Sequence, residues 1–265
     1  MKYFLGAISR FSLQSFSLRK GLRKKGFSLQ SGLFTILLFL ASLHLNSQEL
    51  RKEFSTEIKE KVSLKYILDL PKDSSKPFPL VLFLHGAGER GDNLEIVKAH
   101  SPFTYKNLVK EDFAILAPQC PENVYWDTKA VYELLQYVIK NYNVDQNRIY
   151  LTGLSMGGWG TWKLADEHPE IFAAIAPVCG PMNRPTLSRA CPQLANKPIW
   201  IFHGALDDIV PLENSTTMFQ KLKTCNKTVQ YTIFENDNHN SWDSTYSDPK
   251  FYEWMFAQRK NAAKK

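Results

Sequence analysis

The chain has 265 residues, 44% of them hydrophobic and 22% charged, which suits one domain with a large buried core and excludes a disordered chain. Its formal charge of +7 would suit a nucleic-acid partner, but seven of the 33 basic residues and none of the 26 acidic ones lie in residues 1–48. The rest balances at 26 against 26, so no nucleic-acid partner is expected.

Residues 1–48 read as a signal peptide or N-terminal targeting segment. A basic stretch (Lys2, Arg10, Arg19, Lys20, Arg23, Lys24, Lys25) precedes the apolar run Leu33–Leu45, and Ser47 is small enough to precede a cleavage site. The run is shorter than the ~20 apolar residues of a membrane-crossing helix. A secreted or periplasmic protein is expected, with no stable membrane insertion after processing; an uncleaved anchor is the alternative. Residues 49–265 then form the folded domain.

Residues 52–70 alternate as two strands, the second being Val62–Leu70, and Pro71–Pro79 is a polar connection. Leu80–Leu84 and Phe113–Ala117 are continuous apolar runs of the kind that fill buried parallel strands. Thr128–Tyr142 has helical spacing, with Val131, Leu134, Leu135 and Val138 on one face. Strand Arg148–Thr152, helix Met156–Glu167, strands Phe172–Val178 and Ile199–Phe202, helix Leu212–Leu222, strand Val229–Phe234 and helix Pro249–Gln258 follow. This alternation predicts an α/β fold, a mostly parallel sheet with helices on both faces and an antiparallel edge at its start. The connection between Val178 and Ile199 leaves no room for a large cap domain, so an open site is expected.

Gly153-Leu154-Ser155-Met156-Gly157 has the form G-x-S-x-G between a predicted strand and a predicted helix. A serine on such a turn exposes its hydroxyl at the strand's carboxyl end, beside the free N–H groups of the helix. The plainer alternative is a helix-capping serine among packing glycines. The same turn makes Met156 N–H one donor of an oxyanion hole.

LHGAGERGDN (84–93), PQCP (118–121), DQNRIYLTGLSMGGWGTW (145–162), FHGALDDIVP (202–211) and NHNSWDSTYSDP (238–249) stand in one order along the chain. In this the sequence resembles α/β-hydrolases of the carboxylesterase, feruloyl-esterase-like and "predicted peptidase" (prolyl oligopeptidase-like) group, over roughly residues 55–258. The resemblance implies an α/β-hydrolase catalytic domain with Ser155 as nucleophile. His239, in H-N-S-W, becomes the base. Asp207, in H-G-x-x-D-x-x-V-P, becomes the acid, with Asp208 the nearest substitute and Asp237 a loop carboxylate. Ala87 supplies the second oxyanion N–H, by likeness to the H-G-x-G loop. His85 and His203, each before a glycine at a strand end, become structural positions. His100 has no motif around it, and His168 sits at a helix end where capping suffices.

Such a protein would cleave carboxylic esters, small or linked to polysaccharide, such as acetyl or feruloyl esters. The same residues could serve a serine peptidase, and a non-catalytic binding protein on this scaffold is the reading from another class. No cofactor or metal is expected, since no H-E-x-x-H or C-x-x-C spacing occurs. Trp126, in the connection after Phe113–Ala117, is the candidate substrate contact, able to stack on an aromatic acyl group or a sugar ring. Trp162 is expected in the core, and Trp242 could shield the triad. Glu89 and Arg90 are expected to pair across their loop. Of four cysteines, Cys191 and Cys225, in surface connections flanking one strand-helix unit, are the expected disulfide; Cys120 and Cys179 are expected as buried small hydrophobes.

Overall fold

The computed structural model describes residues 61–260. The proposed targeting segment and the first of the two early strands lie outside the described residues. Among the described residues seven strands form one sheet in the order β1-β3-β2-β4-β5-β6-β7: β1 (Tyr66–Asp69), β2 (Phe78–Leu84), β3 (Ala114–Pro118), β4 (Val144–Leu154), β5 (Ala174–Val178), β6 (Trp200–Gly204) and β7 (Gln230–Phe234). Every pairing is parallel except β1 with β3, which gives the antiparallel edge. The helices are α1 (Pro102–Tyr105), α2 (Thr128–Asn141), α3 (Met156–Glu167), α4 (Arg184–Leu194), α5 (Glu213–Lys223), α6 (Trp242–Ser247) and α7 (Pro249–Ala257).

All seven residues of β2 are buried, as a strand covered on both faces requires. Its alternate side chains part between two cores. Leu80, Leu82 and Leu84 join α2, α3, α4 and α5 on one face, through residues such as Val131, Trp162, Leu194 and Leu222. Val81 and Phe83 join Tyr246 of α6 and Phe251, Tyr252 and Met255 of α7 on the other. Truncating a side chain such as Leu82 to alanine would cost about 2–5 kcal/mol. Among the described residues no helix is long and apolar enough to cross a membrane.

The strand expected at Val62–Leu70 is paired only over Tyr66–Asp69, because its partner β3 is five residues long and the ladder ends with it. The connection between β5 and β6 contains helix α4, capped by Asn183, whose side chain accepts from Thr186 N–H at 2.8 Å. Cys191 therefore sits on a helix, not in a loop. It is bonded to Cys225 just beyond α5, with the two Cα atoms 5.7 Å apart.

The chain leaves β2 toward β3 and returns to the other side of β2 as β4. The loops after β2 and β4 thus meet at the switch point of the sheet, where α/β folds open a crevice.

Candidate active site

β4 ends at Leu154 and α3 begins at Met156, so one residue makes the whole turn. That residue, Ser155, has φ 52° and ψ −117°, a conformation side chains other than glycine rarely hold. The turn closes because Gly157 has no side chain: a Cβ there would run into the carbonyl oxygen of Leu84. Ser155 occupies the capping position of α3 yet makes no side-chain cap bond. Its Oγ lies instead 2.9 Å from Nε2 of His239, so the capping alternative does not describe it.

The partners come from the loops after β6 and β7. These loops run against each other at Gly204, where a Cβ would collide with the backbone oxygens of Asp237 and Asn238. Leu206 N–H donates to Asp237 O at 2.9 Å and ties the loops together. Asp207 and His239 thereby meet, with Nδ1 of His239 2.9 Å from Oδ2 and 3.0 Å from Oδ1 of Asp207. Asp208 is exposed in the same loop.

Asp207 has further donors. Ile209 and Val210 N–H donate to its Oδ1 at 3.0 and 2.8 Å. Nε2 of the buried His203 stands 3.1 Å from Oδ2 and 2.9 Å from Val210 O. A carbonyl can only accept, so Nε2 carries the proton and Nδ1 accepts from Ser215 Oγ–H at 2.7 Å. Burial lowers the basicity of His203 and keeps the ring neutral. A histidine expected only as structure therefore touches the acid.

Met156 is the first residue of α3, and its N–H is one of those a helix leaves without an internal partner. Ala87 opens a short 3-10 turn, Ala87–Glu89, after β2. His85 anchors this turn. Cys120 N–H donates to its Nε2 at 2.9 Å, so the ring proton is on Nδ1 and is given to Gly86 O at 2.6 Å. Burial, helped by the charge of Arg90, lowers the His85 pKa to about 4.

No Glu89–Arg90 pair forms. Arg90 donates to Ala87 O at 3.0 Å and to Val124 O at 3.4 Å, bracing the turn through carbonyls. Glu89 turns inward, to 3.9 Å from Nδ1 of neutral His85, and burial pushes its carboxyl pKa up.

Trp126 does not offer a stacking surface. It is 3% exposed, its indole N–H donates to His85 O at 3.2 Å, and its ring lies against that imidazole at 4.7 Å. It packs where a Cβ on Gly160 would come within 3.0 Å of the indole, so it fixes the loop onto α3. Trp162 is in the core at 1% exposure. Trp242 stands edge-on to His239 at 5.3 Å between centroids and also meets His100 at 5.5 Å, walling one side of the imidazole.

Beneath the site, Cys179 brings a thiol within 4.8 Å of Asp207 and His239 ligand atoms. Burial pushes this thiol up to about 12, and the other two groups already bond each other, so the trio makes a poor metal site.

A hydroxyl bonded to an imidazole, and that imidazole bonded to a carboxylate, form an arrangement able to move a proton from oxygen. The profile of the Dienelactone hydrolase family matches residues 105–263, more than half of the chain. The chain belongs to the dienelactone hydrolase family. This is a branch of the α/β-hydrolase superfamily, whose fold the sheet described above reproduces. A thermostable esterase of known structure is 36% identical, with a TM-score of 0.67, covering 74% of this chain and 59% of that one. A bifunctional acetylxylan esterase/xylanase of Neocallimastix patriciarum is 29% identical over 148 residues, 53% of this chain and 21% of its own. Feruloyl esterase B of Neurospora crassa is 30% identical over 112 residues, 42% of this chain and 30% of its own. The chain thus spans less than a third of the length of these two curated relatives.

Proposed function

We propose that this member of the dienelactone hydrolase family is a serine esterase that cleaves carboxylic esters through an acyl-enzyme. The observation that carries this is the 2.9 Å contact between Ser155 Oγ and His239 Nε2, on an imidazole whose other nitrogen faces Asp207. Ser155 Oγ attacks the ester carbonyl and its proton passes to His239 Nε2. The oxyanion formed is met by the N–H groups of Met156 and Ala87. The tetrahedral intermediate collapses, the C–O bond to the alcohol breaks, and His239 gives its proton to the leaving oxygen. Water then adds to the acyl-enzyme with His239 as base, and acid and free Ser155 are released. Asp207 keeps the His239 proton on Nδ1 and faces the imidazolium when it forms.

The proposed substrates are small or polysaccharide-linked esters, acetyl and feruloyl among them, in line with the names of the acetylxylan and feruloyl esterase relatives. A secreted or periplasmic location, reached through residues 1–48, fits such substrates. The test is fluorophosphonate labelling of the purified protein, with Ser155→Ala as control, and turnover of p-nitrophenyl acetate, a feruloyl ester and a short peptide panel. Ser155-dependent labelling with ester turnover is the expected result. Peptide turnover far above ester turnover would replace the esterase by a peptidase, and no labelling of folded protein would replace it by a binding protein.

A further inference from the structure

The motif Pro118-Gln119-Cys120-Pro121 closes β3 beside the loop that leaves β2, and it grips that loop at several points. Cys120 N–H donates to Nε2 of His85 at 2.9 Å, and Cys120 O accepts from Gly91 N–H at 3.0 Å. The turn Ala87–Glu89 lies between these two ties. The Gln119 side chain adds a third, its Nε2 donating to Glu89 O at 3.0 Å and to Asn93 O at 2.9 Å. Gln119 is 2% exposed, and its own N–H donates to Lys65 O at 2.8 Å. Carbonyls only accept, so the NH₂ end must face both of them, and Oε1 is left buried with no donor. A buried acceptor without a partner costs stability. Methionine, of similar length, would avoid that cost. An amide at this position therefore calls for a use of its two donors.

The turn itself supplies the use. Ala87 and Gly88 are exposed, and a Cβ on Gly88 would meet nothing within 4 Å, so packing does not hold the turn in place. Hydrogen bonds to its carbonyls do. His85 O takes the Trp126 indole N–H, Gly86 O the His85 Nδ1–H, Ala87 O the Arg90 guanidinium and Glu89 O the Gln119 amide. In a trans peptide the C=O and N–H point opposite ways, so tying Gly86 O aims Ala87 N–H away from His85. The turn abuts the nucleophile: a Cβ on Gly86 would stand 3.7 Å from Cβ of Ser155. Trp126 and His85 act before Ala87, and Arg90 bonds Ala87 from within the loop. Among the described residues, Gln119 is the side chain from outside the loop that ties the turn beyond Ala87.

We propose that Gln119 is a positioning residue for the oxyanion donor: through Glu89 O its amide holds the turn where Ala87 N–H meets the oxygen that becomes charged. This rests on the esterase function proposed above. The test pairs p-nitrophenyl acetate with p-nitrophenyl thionoacetate, in which sulfur replaces the carbonyl oxygen and accepts hydrogen bonds poorly. The ratio of kcat/KM, ester over thionoester, then reads the oxyanion donors. Gln119→Met and Gln119→Glu keep the length of the side chain and remove its NH₂ group. Each is expected to lower kcat for the ester about tenfold with KM nearly unchanged, and to lower the ratio by about as much, since a donor is shifted and not removed. Circular dichroism shows whether each variant is folded. A wild-type ratio in a folded variant, whatever its kcat or melting temperature, makes Gln119 a packing residue and overturns the proposal. Failure of both variants to fold overturns it as well. Wild-type protein that labels at Ser155 yet treats ester and thionoester alike overturns the positioning role alone. Protein that neither labels with fluorophosphonate nor hydrolyses either substrate overturns the esterase, and the positioning role with it.

Discussion

His203 Nε2 stands 3.1 Å from Asp207 Oδ2, so the carboxylate that faces His239 is held from behind by a second imidazole. The two rings differ in setting: the side chain of His203 is fully buried, while that of His239 is 17% exposed. Hydrogen bonds thus join Ser215 to His203 and Asp207 through His239 to Ser155, and the 3.1 Å contact of His203 with Asp207 brings the two sets together. Only the last three members correspond to the expected nucleophile, base and acid. His203 is neutral and gives its Nε2 proton to Val210 O, so it packs against the carboxylate without adding a charge that would compete with the imidazolium.

His203→Asn should therefore lower kcat about ten- to a hundredfold, by analogy with the outer partners of metal-bound histidines, and leave KM nearly unchanged. Ser215→Ala removes the donor that sets the His203 tautomer and should cost a few-fold in kcat. Steady-state kinetics on p-nitrophenyl acetate, with thermal melts of each variant, separate the alternatives. A variant that melts earlier but keeps its kcat would make His203 a packing residue only.

The sequence carried the fold well because β2, β3 and β5 are unbroken apolar runs and α2 has one apolar face. It carried the line of Ser155, Asp207 and His239 because each sits in a recognisable strand-end motif. What it hid depends on neighbours remote in the chain. Trp126 and Tyr125 are adjacent aromatics, and nothing local says which one turns inward; the choice is made by His85 O and Gly160, 41 and 34 residues away. Helix α4 has prolines at its start and at Pro192, and little apolar patterning, so it reads as a connection until α3 and α5 are beside it. The part of His203 is visible only once the β6 loop folds back on its own strand.

Among the carboxylates near the base, Asp207 is the one bonded to His239, and Asp208 faces solvent. Asp207→Asn should drop kcat about 10⁴-fold, since an amide cannot both hold the required tautomer and face an imidazolium. Asp208→Asn should stay within about twofold, as for most exposed substitutions. Comparable losses in the two variants would mean that the turn carries the acid differently.

The His85 imidazole predicts a pH dependence of stability. Its pKa falls from 6.5 in the unfolded chain to about 4 in the folded one, chiefly through burial. Between these values the unfolded chain binds a proton that the folded one refuses. Stability from this ring is thus complete above pH 6.5 and declines as the pH falls, by up to about 3 kcal/mol near pH 4. Protonation also places a second donor opposite Cys120 N–H, breaking the bond that anchors the Ala87 turn. His85→Gln offers an acceptor without titrating. The stability gap between wild type and this variant, from urea unfolding at pH 7.5, 5.5 and 4.5, should shrink by about 2.5 kcal/mol between the first and the last. A constant gap would mean that the ring charges without penalty.

The four cysteines should divide into two chemical classes. Cys191 and Cys225 are bonded across 34 residues, joining α4 to the end of α5. Closing a loop of that length removes about 4 kcal/mol of unfolded-chain entropy. The double variant Cys191→Ser, Cys225→Ser, compared with the oxidised protein in urea, should lose stability of that order. Cys120 and Cys179 remain as thiols, and burial pushes them up to about 11 and about 12. At pH 8 almost none of either is thiolate, and Cys179 lies under the bonded pair of Asp207 and His239. Ellman's reagent should therefore find no fast-reacting thiol in the native protein and two after unfolding without reductant. Four thiols after unfolding would mean that the bridge is absent. A fast native thiol that inactivates the enzyme would mean that the floor of the active site opens to solvent.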